Sequence, residues 1–169
     1  MKITAAFVLS LAVIGSAQVQ QKPTAPPDDH AAMMKRGDHA MGFSHEKTTH
    51  HFRLFKDGGA IEVAANDPKD TASRDEIRQH LAHISQMFAA GNFNVPMLIH
   101  ATTPPGVQAM RELREQIDYL YQDTIYGARI RITTADSQAQ DAIHAFLRFQ
   151  ITEHETGDAT AVTDEIQKK

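Results

Sequence analysis

The sequence predicts an α+β fold: a two-layer sandwich with a four- or five-stranded, mainly antiparallel sheet covered by helices on one face. Three observations predict it. Two strand–turn–strand patterns are present, and an amphipathic segment follows each of them. The pattern Asp-x-Ile-x-x-x-Leu occurs at Asp75 and again 66 residues later at Asp141. This repeat fits either a duplicated ββα unit or a coincidence between two amphipathic helices.

The first predicted hairpin surrounds the stretch KDGG. Residues 50–55 and 60–65 form its strands, and Asp57-Gly58 suits the centre of a type I′ turn, where both residues need positive φ. Pairing outward from this turn sets Phe52 opposite Val63. The hairpin therefore has one apolar face.

Two adjacent histidines open the first strand. Because side chains alternate between faces, His50 continues the apolar face and His51 continues the polar face. Arg53 and Glu62 form a cross-strand pair on that polar face. We therefore expect His50 to lie close to the first helix.

The first predicted helix begins with a capping box at residues 73–76. Gly91 suits its C-terminal cap. Apolar residues recur at core-facing helical spacing between these ends. With the strands and later elements, they predict a core of Phe52, Leu54, Ile61, Val63, Ile77, Leu81, Ile84, Phe88, Leu113, Ile130, Ile132, Ile143 and Leu147.

The middle of the chain predicts less regular structure. Residues 94–100 are expected to be extended and to add an edge strand, because Pro96 disfavours a central one. A second helix begins at Thr103-Pro104. A second hairpin and a third helix then occupy residues 119–122, 129–134 and 137–154.

The two ends of the chain differ in composition from the centre. Residues 1–17 combine a lysine, an apolar run and a small-residue cleavage site, which predicts a signal peptide and an exported, periplasmic or secreted protein. The run is shorter than the roughly 20 residues of a membrane helix, so no span is expected after cleavage. An uncleaved anchor is the alternative. Residues 18–47 predict a mobile arm, 48–157 a single domain and 158–169 a polar tail.

The composition excludes several kinds of site. The chain has no cysteine, which removes disulfides, zinc–thiolate centres and cysteine nucleophiles. Its net charge is −4 and its charges are mixed along the sequence, so no nucleic-acid partner is expected. A bound metal would need histidine, carboxylate or methionine ligands.

The first helix carries such ligands on one stripe. Glu76, His80, His83 and Met87 recur at helical spacing beside the core stripe, and all four side chains can bind a late first-row transition metal. Either His50 or His100 is expected to complete the site. The alternative is a solvated flank of the helix.

Other histidines have simpler interpretations. His154 is expected to stabilise a helix C-terminus as an imidazolium, and His144 to lie on the surface. Residues 30–45 hold three His and three Met, which fits either a copper or nickel catcher or a plain linker.

Several segments resemble a family of small exported bacterial proteins. They are MGFSHEKTTHHF, KDGGAIEVAANDPKDTASRDEIRQHLAHI, PPGV and IHAFLRFQITEHETGD, and they span most of residues 41–158. The resemblance implies a shared fold and an envelope location, and it implies no activity, cofactor or catalytic residue.

Three functional hypotheses follow. The first is an exported binding protein that holds Cu, Zn or Ni through histidines. The second is a non-metal binding or assembly domain, whose polar sheet face or edge meets a protein partner or a second copy in a homo-oligomer. The third, a small hydrolase, has no supporting motif, and an enzyme is the less favoured class.

Overall fold

The computed structural model describes residues 27–164, with side chains from residue 30 onward. The predicted signal peptide lies outside the described residues, as do residues 18–26 of the predicted arm and 165–169 of the predicted tail. The elements are α1 (Pro27–Met41), β1 (Thr48–Phe55), β2 (Gly58–Ala65), α2 (Thr71–Ala89), α3 (Asn94–His100), α4 (Val107–Glu112), β3 (Ile117–Asp123), β4 (Gly127–Thr134) and α5 (Ser137–Glu153).

The predicted α+β class is confirmed. In the described part of the chain the sheet has four antiparallel strands, in the order β1-β2-β4-β3. Helix α2 packs on β3 and β4, and α5 packs on β1 and β2, so each helix covers the hairpin of the other ββα unit. Every predicted core residue is buried except Leu113, which is partly buried. No described helix has the length and apolarity needed to cross a membrane.

The repeat extends from the helices to the strands. Strand β2 (Gly58–Ala65) and strand β4 (Gly127–Thr134) have the same length, and β4 begins 69 residues after β2. Leu81 and Leu147, shifted by 66, are both buried in the same core. The strand shift of 69 exceeds the helix shift of 66 by three residues. The reason is that five residues, 66–70, join β2 to α2, whereas two residues, 135–136, join β4 to α5.

The predicted register of the first hairpin is wrong by two residues. Phe52 lies opposite Ile61, not Val63, because the turn is Lys56-Asp57 and Gly58 already belongs to β2. A Cβ atom on Gly58 would lie 2.2 Å from the Ile132 carbonyl oxygen, so this glycine is required by the close approach of β4. A two-residue shift preserves the side-chain faces, and the apolar face was predicted correctly.

Helix α2 begins earlier than the predicted capping box. Its N-cap is Asp70, whose carboxylate accepts hydrogen bonds from the Ser73 backbone N–H at 3.0 Å and from the Ser73 hydroxyl at 2.9 Å. Ser73 therefore lies inside the first turn. Gly91, with φ +74°, follows the C-cap as expected.

The predicted edge strand is a helix. Residues 94–100 form α3, and Pro96 is tolerated because it stands in the first turn, where backbone N–H groups need no helical partner. The next helix is shorter than predicted and begins only after Gly106. Gly106 has φ +84°, and a Cβ atom there would lie 2.1 Å from the Ala142 carbonyl oxygen. The turn before α4 therefore packs directly on α5.

The prediction of a mobile arm is wrong for residues 27–47. These residues form α1 and a short 3-10 turn, and α1 packs on α3. Met33 and Phe43 are buried, and the Arg36 guanidinium donates a hydrogen bond to the Ile99 carbonyl at 2.8 Å. The folded region therefore extends beyond the predicted 48–157.

The predicted tail also has defined contacts over residues 158–164. The Thr163 N–H donates to the Leu54 carbonyl at 2.9 Å, and the Asp158 carboxylate accepts from the Phe52 N–H at 3.0 Å. This segment lies along the outer edge of β1 and occupies backbone groups that an edge strand otherwise exposes.

Candidate functional site

Four histidines line one cavity between the sheet and the helices. The cavity measures about 70 Å³, and most of its other walls are apolar. His50 comes from β1, His80 from α2, His100 from the end of α3 and His154 from the residue that caps α5. The fold therefore brings together imidazoles that are far apart in the sequence.

Three of these rings form a continuous group. His50 and His154 are stacked, with ring centroids 5.8 Å apart and planes 12° apart. His100 meets His154 edge-on, with centroids 5.1 Å apart. His80 joins the group through Phe43, whose ring centroid lies 5.6 Å from that of His80 and 6.2 Å from that of His50.

Burial keeps these imidazoles neutral. Desolvation, reinforced by neighbouring histidines, lowers the pKa of His50 and of His80 to about 4, and that of His154 to about 3. Burial also lowers the pKa of His100. Each neutral ring has one N–H donor and one nitrogen with a free lone pair.

Within the described residues, the rings of His50, His80 and His154 make no hydrogen bond. The exception in the group is His100, whose Nε2 lies 3.1 Å from Gln150 Oε1. Because an amide oxygen only accepts, Nε2 carries the proton and Nδ1 carries the lone pair. Buried polar atoms normally have partners, yet His100 Nδ1 and Gln150 Nε2 have none in this part of the chain.

The four predicted ligands on α2 do not share one site. His80 faces the cavity, together with the predicted His50 and His100. His83 and Glu76 are exposed and line a separate outer groove, which His80 also borders. Met87 is partly buried against the core and lines neither. Among the described residues, no three His, Asp or Glu side chains are already arranged to hold one metal ion.

The expected role of His154 is wrong. A macrodipole interaction requires an imidazolium, whereas burial holds this ring neutral. His154 and Gln150 both line the cavity, and sequence reasoning missed both as site residues. Their spacing of four residues places them on one face of α5, which was the available signal.

Two other histidines have structural partners. His144 is buried, contrary to the expected surface position, and its Nε2 lies 2.8 Å from the Phe55 carbonyl and 3.0 Å from the Gly58 carbonyl. It therefore fixes the β1–β2 turn to α5. His51 lies on the polar face as expected, and its Nδ1 lies 2.9 Å from an Asp158 carboxylate oxygen.

The open face of the sheet carries charges that pair with one another. Arg53 and Arg129 lie 3.2 Å and 3.3 Å from the two oxygens of the Glu62 carboxylate. Arg131 forms an ion pair with Asp57, and its guanidinium stands over the Phe55 ring. This pairing does not favour the hypothesis of a partner bound through the polar face, which stays a prediction.

Comparison with known proteins adds no relative. The chain matches no protein-family model, no curated protein and no solved structure. The residues of the cavity are therefore the basis for assigning a function.

Proposed function

We propose that the protein is a small exported binding protein that holds a late first-row transition-metal ion in the histidine-lined cavity. One observation carries the proposal. Four neutral imidazoles line a single cavity, and only one of their ring nitrogens has a hydrogen-bond partner in the described residues. Neutral imidazole nitrogens are good ligands for Zn(II), Cu(II) and Ni(II).

The spacing of the rings supports this ligand class. Two imidazoles bound to one tetrahedral ion at roughly 2.0–2.1 Å have ring centres about 5 Å apart. The His100–His154 and His50–His154 centroid distances are 5.1 Å and 5.8 Å. These three residues are therefore the proposed ligands, and binding requires their rings to rotate until their lone pairs converge. The fourth histidine, His80, contacts the Phe43 ring and lines both this cavity and the outer groove.

The hydrogen bond to Gln150 supports His100 as a ligand. Histidines that bind metals usually donate their other N–H to an acceptor, which fixes the tautomer and orients the ring. Gln150 Oε1 provides such an acceptor for His100 Nε2. The lone pair of His100 Nδ1 is then available to an ion.

Titration calorimetry of Zn(II), Cu(II) and Ni(II) into the full chain tests the proposal. We expect at least one ion to bind with Kd below about 10 μM. His154→Ala should abolish that binding, whereas His83→Ala, which removes an exposed imidazole outside the cavity, should leave the affinity unchanged. Circular dichroism checks that both variants are folded. If no ion binds the wild-type chain with Kd below about 10 μM, the site is refuted. It is also refuted if His83→Ala abolishes binding and His154→Ala does not.

We also propose export, because residues 1–17 have the composition of a cleaved signal peptide. Cleavage after Ala17 gives a chain that begins at Gln18. The intact mass of protein from the producing cell measures this directly. A cytoplasmic protein that retains residues 1–17 would refute the proposed location.

A further inference from the structure

A second cavity lies beneath α1. It measures about 190 Å³ and is lined by thioether and imidazole side chains together with small residues. Its sulfur-bearing residues are Met33, Met34 and Met41. His50, His154 and Met41 line this cavity and also the histidine-lined one. The two cavities are therefore neighbours with a shared wall.

The sequence of α1 directs its methionines to this wall. Met33, Gly37 and Met41 recur every four residues, so they share one face of the helix. A Cβ atom on Gly37 would lie 3.5 Å from the terminal methyl of Met41, so the Met41 side chain lies back along this face of the helix. Met33, Met34 and Met41 therefore all line this cavity, and their thioethers are polarisable.

His45 adds a nitrogen ligand with a fixed orientation. Its Nδ1 lies 2.8 Å from Asp38 Oδ1, and the same oxygen accepts the His45 backbone N–H at 2.8 Å. Because a carboxylate only accepts, Nδ1 carries the proton and Nε2 carries the lone pair. A carboxylate that holds the far nitrogen of a histidine is the usual arrangement behind a metal-binding imidazole.

We propose that the cavity beneath α1 binds Cu(I) through the thioethers of Met33, Met34 and Met41 and through His45 Nε2. Thioether sulfur is a soft ligand that selects Cu(I) over Zn(II) and other harder ions. The inference rests on the proposed function only through His50 and His154, which line both cavities. It assigns copper to the cavity beneath α1 and leaves the choice of metal in the histidine-lined cavity open.

A competition titration tests this assignment. The full chain competes with a chromogenic Cu(I) chelator under anaerobic, reducing conditions, and Zn(II) affinity is measured separately by calorimetry. Replacing Met33 and Met34, which line only the cavity beneath α1, together by Leu keeps the side chains apolar and of similar volume. We expect this variant to lose Cu(I) affinity by about tenfold or more while its Zn(II) affinity stays unchanged. Met97→Leu, on α3 and outside the cavity, is the matched control.

Two further measurements test the proposal if the double variant misfolds. His45→Ala leaves the methionines in place and should also weaken Cu(I) binding. Copper K-edge absorption of the wild-type complex should show sulfur in the first coordination shell. A shell of nitrogen and oxygen alone, or unchanged Cu(I) affinity in a folded double variant, would show that the methionines only pack. Zn(II) binding lost in His154→Ala would still support the histidine site, so the two proposals fail separately.

Discussion

His50, on the first strand, and His154, at the end of the last helix, stack with their ring centroids 5.8 Å apart. Protonating either ring would place a half-buried positive charge beside the other ring. Desolvation lowers both pKa values well below 6.5, and the neighbouring His50 lowers the pKa of His154 further. The stacked pair is the centre of the proposed site, and we expect it to make the stability of the fold depend on pH.

Acid should destabilise the protein before its carboxylates titrate. The folded-state pKa values of His50 and His80 are about 4 and that of His154 is about 3, whereas the unfolded value is 6.5. The unfolded chain therefore binds more protons below pH 6.5, and the stability present above that pH is lost as the pH falls towards these values. We expect the free energy of unfolding to decrease by at least about 2 kcal/mol between pH 7 and pH 4.5.

Urea denaturation at several pH values between 7 and 4.5 measures how the free energy of unfolding changes with pH. Replacing His154 by Leu removes one imidazole with a lowered pKa, so the slope of stability against pH should decrease in this variant even if its absolute stability changes. A wild-type stability that does not vary between pH 6.5 and pH 4.5 would show that the imidazoles are not held neutral.

Gln150 should act as a positioning residue for His100. Its side chain is 4% exposed, and Oε1 accepts from His100 Nε2 at 3.1 Å. Gln150→Leu removes the acceptor, so His100 should lose its fixed tautomer, and metal affinity should fall by about 10- to 100-fold. The ¹⁵N chemical shifts of His100 report the tautomer without metal, and calorimetry reports the affinity. Gln140→Leu, on the same helix but hydrogen-bonded to the Lys56 carbonyl, is the control.

Leu81 should contribute strongly to stability. It is 3% exposed in the core beneath the sheet, so Leu81→Ala should cost about 2–5 kcal/mol through lost burial and the cavity left behind. Leu98 is 59% exposed on α3, and Leu98→Ala should change stability by less than about 0.5 kcal/mol. Equal effects of the two changes in urea denaturation would contradict the assigned core.

Asp158 should anchor the C-terminal segment to β1. Its carboxylate accepts from the Phe52 N–H at 3.0 Å and from the Thr156 hydroxyl at 2.8 Å, and it lies 2.9 Å from His51 Nδ1. Asp158→Ala should therefore cost about 1–3 kcal/mol, since it leaves the Phe52 N–H without its partner. Asp164 forms an exposed ion pair with Lys56, and Asp164→Ala should have no measurable effect. Thermal denaturation of the two variants compares them, and equal melting temperatures would contradict the anchor.

Local patterns predicted the layers of the fold better than its details. Strand alternation assigned Phe52 and Val63 to the buried face although their pairing was wrong, because a two-residue shift preserves the faces. The position of the turn depended on Gly58, which has φ +135° and also lies in close contact with β4. Such a contact between distant strands has no local signal.

The missed parts of the site have a similar cause. Helix α1 carries Met, His and charged residues in place of strongly apolar ones, and its position depends on packing against α3. His154 was placed correctly at a helix end, but its stacking on His50 depends on how α5 lies across β1. The sequence therefore singled out three of the four cavity histidines, His50, His80 and His100, whereas their grouping required the tertiary fold.

Anomalous X-ray scattering from crystals grown with Zn(II), measured on both sides of the zinc K edge, tests the central claim most directly. The proposed site predicts one strong anomalous peak inside the cavity, within bonding distance, about 2.0–2.1 Å, of nitrogens from His50, His100 and His154. An empty cavity at saturating Zn(II), or a peak found only at the exposed His83 and Glu76, would contradict it.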